Sequence, residues 1–263
     1  MSIRLIAIDL DGTLLGATHT ISAPNAAAIA ACQSRGIAVL LATGRMFASA
    51  RAFARQLDLR GPQITLNGAV LGDPQHSALH IRAALAPAEL AAVLAVLAVY
   101  EIPFAIFGPD TIYVEPDTPQ VGILAAYGEP PAVPLPRAEL LLLPAPIKVL
   151  TFLNPGPRDD ELRAALAHRV EVVRTGNQFF EFLAPSTSKG AALAEIARQR
   201  GVARDEILAI GDSDNDLSMF AIAGTSIAMG GAAAHVQARA TAVTASCADD
   251  GVARALEQFV LHA

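Results

Sequence analysis

Four short polar clusters hold the residues able to do chemistry: Asp9-Leu10-Asp11-Gly12-Thr13, Thr43-Gly44-Arg45, Ser188-Lys189-Gly190 and Gly211-Asp212-Ser213-Asp214-Asn215-Asp216. Brought together, they would crowd Asp9, Asp11, Asp212 and Asp216. Carboxylates at close range repel and raise one another's pKa unless something compensates. A hard divalent cation does so, and a ligand set made only of oxygen suits magnesium. One carboxylate can then attack phosphorus and form an aspartyl phosphate. A second can protonate the departing oxygen and later deprotonate water. Thr43 and the backbone N–H groups of residues 11–13 and of Gly44 could bind phosphoryl oxygens. Lys189 would offset the negative charge. Each cluster alone has a blander meaning. The first fits a tight turn with an Asx hydrogen bond, the second a helix start, the third a solvated lysine. The fourth lacks the spacing and closing glutamate of an EF-hand. The signal is all four together, in this order.

The elements that must position them follow from the apolar pattern. Residues 5–8, 37–41 and 207–210 are short apolar runs, as expected of strands buried on both faces of a parallel sheet. Each run stops at a polar cluster. In an open α/β sheet, ligands bind outside the carboxyl ends of the strands, so a parallel sheet brings the clusters to one rim. Helices are expected at 22–34, where Ser22 caps and Gly36 closes, then up to about 57, at 189–200 and at 251–261. Residues 64–66 read as a third core strand that ends at the turn dipeptide Asn67-Gly68. The alternation implies βαβ units. From about 83 to 186 the texture changes. There a helix at 86–100, strands at 104–107, 111–114 and 147–153, a helix at 159–168 and a hairpin around Gly176-Asn177 indicate an α+β insert with an antiparallel sheet. Prolines between 130 and 146 read as a stiff surface connection. The expected fold is therefore a Rossmann-like α/β core made of residues 1–82 and 187–263, with an α+β cap at 83–186.

Composition narrows the partners. The chain has 263 residues, 53% of them hydrophobic, ample for a sizeable core. A net charge of -6 offers no footprint for a nucleic-acid backbone. No unbroken apolar run reaches the ~18 residues of a membrane span, and the first residues lack the features of a signal peptide. Cys32 and Cys247 are the only cysteines. Both are expected to be reduced and buried in a cytoplasmic protein. Oligomeric state is not legible.

With these clusters in view, the sequence resembles the haloacid dehalogenase superfamily of phosphohydrolases, in its Cof-type subgroup with an α/β cap after the third core strand. The resemblance spans essentially the whole chain. Asp9-Leu10-Asp11-Gly12-Thr13-Leu14 matches the first motif, which implies Asp9 as nucleophile and Asp11 as general acid/base. Ala42-Thr43-Gly44-Arg45 matches the second and implies phosphate binding by Thr43. Ser188-Lys189-Gly190 matches the third. The run from Gly211 to Met219 matches the fourth, implying Asp212 as a magnesium ligand, Asp216 as a supporting carboxylate and Asn215 as a phosphate or metal-shell contact. The resemblance also implies magnesium held by Asp9 and by the backbone carbonyl of Asp11. Two stretches depart from the pattern: Met229-Gly230-Gly231-Ala232 has glycine where asparagine is usual, and Cys247 stands where asparagine is usual. The expected activity is magnesium-dependent hydrolysis of a small phosphorylated metabolite. Phosphomutase or phosphotransferase chemistry, or a non-catalytic phosphate sensor, would use the same residues. Arg45 and Asn67 are candidate substrate contacts. His19 is expected at the surface, and Phe179, Phe180 and Phe182 at least partly in the core.

Overall fold

The computed structural model of the chain describes residues 2–76, 78–176 and 178–262. Asn177, the second residue of the expected hairpin turn, lies outside the described residues. In chain order the strands are β1 (Leu5–Ile8), β2 (Ala38–Leu41), β3 (Gln63–Thr65), β4 (Val70–Gly72), β5 (Leu79–Ile81), β6 (Phe104–Phe107) and β7 (Ile112–Val114). They continue as β8 (Ala132–Pro134), β9 (Lys148–Phe152), β10 (Glu171–Thr175), β11 (Phe179–Leu183), β12 (Ile207–Gly211), β13 (Thr225–Ala228) and β14 (Ala242–Val243).

Five of these form a parallel sheet in the order β14-β13-β12-β1-β2. β1 lies between β12 and β2, and its four residues are wholly buried because both faces are covered. Ile6 and Ile8 pack with Ile29, Val252 and Leu256 on one side. Leu5 and Ala7 pack with Leu193, Ile196 and Phe220 on the other. Strict alternation over two apolar layers is what an unbroken apolar strand means. Each fully buried aliphatic side chain contributes roughly 1.5–3 kcal/mol. The helix Ala23–Ser34 starts where Ser22 Oγ accepts from Asn25 N–H. The helix Lys189–Arg200 is capped by Ser188 and ended by Gly201 in the left-handed region.

The second sheet has six strands in the order β10-β11-β9-β6-β7-β8. It is antiparallel except for the edge pair β7–β8. With the helix Pro87–Val99 and its own apolar core, it is the α+β cap. The Rossmann-like α/β core and this cap are the expected fold class.

Two local expectations need correction. β3 does not join the parallel sheet as a full strand. It touches it through one bridge, Ala42↔Ile64, and pairs antiparallel with β4 in a small sheet with β5. The cause is the run Leu66, Asn67, Gly68, all with positive φ, which folds the chain straight back. The proline-rich stretch is more than a connection. It supplies edge strand β8, where a missing N–H is tolerated, and a helical turn, Arg137–Leu140, whose Leu140 is fully buried.

Candidate active site

Register places the clusters side by side. Ile8 pairs with Ile210 on one flank and with Leu41 on the other. The residues that follow these strands therefore emerge at one rim. Asp9 extends the ladder by one bond, its N–H donating to Ile210 at 3.0 Å, and its side chain lies buried there.

Lys189 enters from the first turn of its helix and is fully buried, not solvated. Its Nζ donates to Asp9 Oδ1 at 2.6 Å and to Asp216 Oδ1 at 2.7 Å. Burial opposes its charge, but Asp216 and then Asp9 outweigh burial and keep the ammonium protonated above the ordinary lysine range. The other oxygen of Asp216 accepts from the N–H groups of Asp212 and Ser213 at 3.0 and 3.1 Å. Both oxygens of Asp216 are thus committed to holding the loop and the lysine. Asp212 is steadied by Thr13, whose hydroxyl donates to Oδ1 at 3.0 Å. Gly12 passes close beside it with φ +81°, and a Cβ there would collide with the Asp212 carboxylate.

Ligand atoms of Asp9, Asp212 and Asp216 lie within 4.8 Å of one another. Three carboxylates face one ammonium. Burial first, then Asp216 and Asp212, push the Asp9 carboxyl well above its usual value against the pull of Lys189. Burial and then Asp216 push Asp212 up to about 6. Carboxylates held in this state fit a hard divalent cation, which would reverse both shifts. Asp9 and Asp212 have oxygens to offer; Asp216 stands behind them.

Thr43 and Gly44 line the same cavity, of about 140 Å³, together with Asp9, Asp11, Asp212 and Asn215. Thr43 is buried, and its hydroxyl accepts from Arg45 N–H at 3.1 Å. Of the amides expected to face phosphate, those of Gly12 and Thr13 are spent inside the turn, donating to Leu15 and Leu10. Asp11 and Arg45 form a forked pair: Nη2 donates to Oδ1 at 2.5 Å and Nε to Oδ2 at 2.7 Å. Arg45 also donates to the Tyr127 carbonyl at 2.6 Å and lies over the Tyr127 and Phe53 rings. His19, expected at the surface, is there and also borders this pair. It is half-exposed, with Nδ1 3.2 Å from Arg45 Nη2. Phe179, Phe180 and Phe182 are all buried, and Phe179 lines the cavity. Cys32 is free and buried; Cys247, expected buried, is only partly covered.

Sequence reasoning missed the cap's contribution. Lys148 on β9 and Glu181 on β11 are buried to 2% and 1% exposure and line the cavity. Lys148 Nζ donates to Glu181 Oε2 and to the Gly44 carbonyl, each at 2.9 Å. Asn67 is 1% exposed; its Nδ2 donates to Glu181 Oε2 at 2.8 Å, and its Oδ1 accepts from Asn215 Nδ2 at 3.0 Å. A signal was present: one charge in each of two otherwise apolar strands, Ile147-Lys148-Val149-Leu150 and Phe180-Glu181-Phe182. Such charges are almost never fully buried unless paired. Tyr127 and Leu124 come from the helical turns Pro119–Tyr127, which carried no sequence signal that we read.

Comparison with known proteins gives the family and the fold. The pattern of the haloacid dehalogenase-like hydrolase family matches residues 6–256. The chain is 31% identical over 271 residues to a 5-amino-6-(5-phospho-D-ribitylamino)uracil phosphatase of Bacillus subtilis (strain 168), covering 97% of each. A solved haloacid dehalogenase-like hydrolase from B. subtilis superposes with a TM-score of 0.88 at 26% identity, over 98% of this chain and 100% of that one. A solved subclass IIB sugar phosphatase of the superfamily does so with a TM-score of 0.88 at 25% identity, over 97% and 98%. The chain belongs to the haloacid dehalogenase-like hydrolases. Within that family it is an enzyme of the phosphatase class. Among the described residues, no helix is long and apolar enough to cross a membrane.

Proposed function

We propose that this phosphatase hydrolyses a small phosphorylated metabolite, a sugar phosphate or a phosphorylated cofactor, through an aspartyl phosphate on Asp9. The observation that carries the reading is the buried Asp9 carboxylate, aimed by Lys189 beside Asp212 at the floor of the cavity. Asp9 attacks phosphorus while the bond from phosphorus to the leaving oxygen breaks. Asp11 gives that oxygen its proton. Asp11 then takes a proton from water, whose oxygen attacks phosphorus and returns Asp9 and inorganic phosphate. Thr43, Gly44, Asn215 and Lys189 bind the phosphoryl oxygens and oppose their charge. Asp9, Asp212 and the carbonyl of Asp11 would hold magnesium, which when bound supplies positive charge to the phosphoryl oxygens. Arg45 meets the substrate by exchanging partners: an incoming phosphate competes with Asp11 for the guanidinium and releases the carboxyl to act.

Residues 1–82 and 187–263 form the catalytic core in this reading, and 83–186 the cap that selects the leaving group and excludes water. The named activities of the relatives, on a ribitylaminouracil phosphate and on a sugar phosphate, support a small phosphate monoester. The net charge of -6 and the two free thiols support a cytoplasmic enzyme with no nucleic-acid partner.

The test is a panel of phosphate monoesters assayed with magnesium and with a chelator. Inorganic phosphate should appear only with the metal. Asp9→Asn should lower turnover by about three orders of magnitude or more while leaving the melting transition intact. Full activity in that variant would remove the nucleophile, and an isomerised product without free phosphate would assign phosphotransfer instead.

A further inference from the structure

We infer that Glu181 of the cap is a positioning residue for the phosphate site, setting through Asn67 which atom Asn215 presents to the substrate. This inference rests on the reading above, in which Asn215 binds phosphate.

The argument is one of hydrogen-bond polarity. Lys148 can only donate and a carboxylate can only accept. Lys148 donates to Glu181 Oε2 and to the Gly44 carbonyl. Asn67 meets Glu181 and must therefore turn its amide nitrogen to it, at 2.8 Å. That leaves Asn67 Oδ1 facing Asn215, which must answer with its own nitrogen, at 3.0 Å. Asn215 Oδ1 accepts from the Ser213 hydroxyl at 3.1 Å. An amide free to turn over would show oxygen or nitrogen to the cavity equally. Here the ion pair in the cap fixes the sense of both amides, so Asn215 offers its second N–H, the atom an anion needs.

The setting favours such a role over a purely structural one. Replacing a buried ion pair with apolar residues often leaves stability unchanged or higher, so burial alone does not explain Lys148 and Glu181. Asn67 sits at φ +55° between Leu66 and Gly68, also at positive φ. Backbone held this way persists where surrounding contacts demand it. Lys148 and Glu181 belong to the six-stranded sheet, whereas Gly44 and Asn215 follow strands β2 and β12 of the parallel sheet and Asn67 lies in the turn between β3 and β4. The phosphate site is thus finished by a residue of the other sheet and depends on how the cap is seated.

The experiment compares two neutral replacements of the pair. Lys148→Met with Glu181→Gln removes both charges and keeps an acceptor for Asn67. Lys148→Met with Glu181→Met removes both charges and the acceptor. Inorganic phosphate, which has no leaving group for a cap to recognise, is titrated calorimetrically into each chain and into the wild type with magnesium present. We expect the second variant to bind phosphate about tenfold more weakly than the first, the scale of one lost aligned hydrogen bond. Equal affinity in the two variants, with wild type binding normally, would overturn the role of Glu181 alone. A wild type that binds no phosphate would overturn the phosphate site and this inference with it. If the second variant fails to melt cooperatively, Asn67→Gly breaks the relay at a position where glycine carries no strain. Unchanged phosphate affinity there would equally overturn the proposal.

Discussion

Most of the site's chemistry is set by how few hydrogen-bonding choices each buried group has left. Asp216 has both oxygens committed, so it stabilises Lys189 and the loop, while Asp9 and Asp212 keep atoms to offer. Glu129 shows the same logic beside the site. Its carboxylate accepts from Met46 N–H at 2.9 Å and from the Ser49 hydroxyl at 3.1 Å. Burial nevertheless raises its pKa above the ordinary glutamate value, those bonds and Lys148 pulling the other way. A carboxyl whose pKa is higher folded than unfolded binds its proton more tightly in the folded state. Its stabilising contribution is present below the unfolded pKa and is lost as pH rises through the folded one. Urea unfolding of wild type and Glu129→Gln from pH 4 to pH 8 should therefore show the gap shifting in favour of the variant as pH rises. A constant gap would show that Glu129 does not titrate between the two states. At this scale the sequence was informative where a carboxylate ends a buried strand, as at Asp9 and Asp212. It was uninformative at Arg45, because partners 34 and 82 positions away along the chain decide whether it meets Asp11 and Tyr127.

Among the elements, the loop after β1 carries the tightest constraint. Gly12 holds a left-handed φ with its α-carbon against Asp212. An L-residue there costs roughly 1–2 kcal/mol for the conformation alone, and the collision adds to it. Gly12→Ala should lower the unfolding free energy measured in urea by at least that amount and raise the magnesium concentration needed for half-maximal activity. A variant unchanged in both would show that the loop relaxes freely. The strands that end at the clusters were legible because apolar runs four or five residues long, stopped by charge, have few other readings. β4 and β5 were not, because Val70, Leu71 and Gly72 follow a turn whose direction only the positive φ values of Leu66, Asn67 and Gly68 reveal. β8 was obscured by its prolines, which an edge strand tolerates.

The molecule as a whole sets the acidic cluster of Asp9, Asp212 and Asp216 between a parallel core sheet and a cap sheet. A cation that binds only the folded chain adds about 2.7 kcal/mol at a hundred times its Kd. At ~2–4 °C per kcal/mol for a chain of this size, saturating magnesium should raise the thermal midpoint by about 5–10 °C over the chelated protein. Asp212→Asn should show little of that rise. An equal rise in both would place the cation elsewhere. The fold class, an α/β core with an α+β cap, was legible from the change in hydrophobic texture along the chain. The way the cap seats on the core was not, because Lys148, Glu181 and Tyr127 gain their meaning only when two sheets meet.

One consequence concerns how the chain comes into being. β1 is flanked by β2 and β12, and β12 begins at Ile207. A ribosome at ~5–20 residues per second therefore leaves one edge of Leu-Ile-Ala-Ile without its neighbour for roughly 10–40 seconds. Through that interval an apolar strand has an open hydrogen-bonding edge, the feature that invites pairing between chains. Slow translation or a stop within the cap should send this protein into inclusion bodies, and a chaperone that shields nascent edges should rescue it.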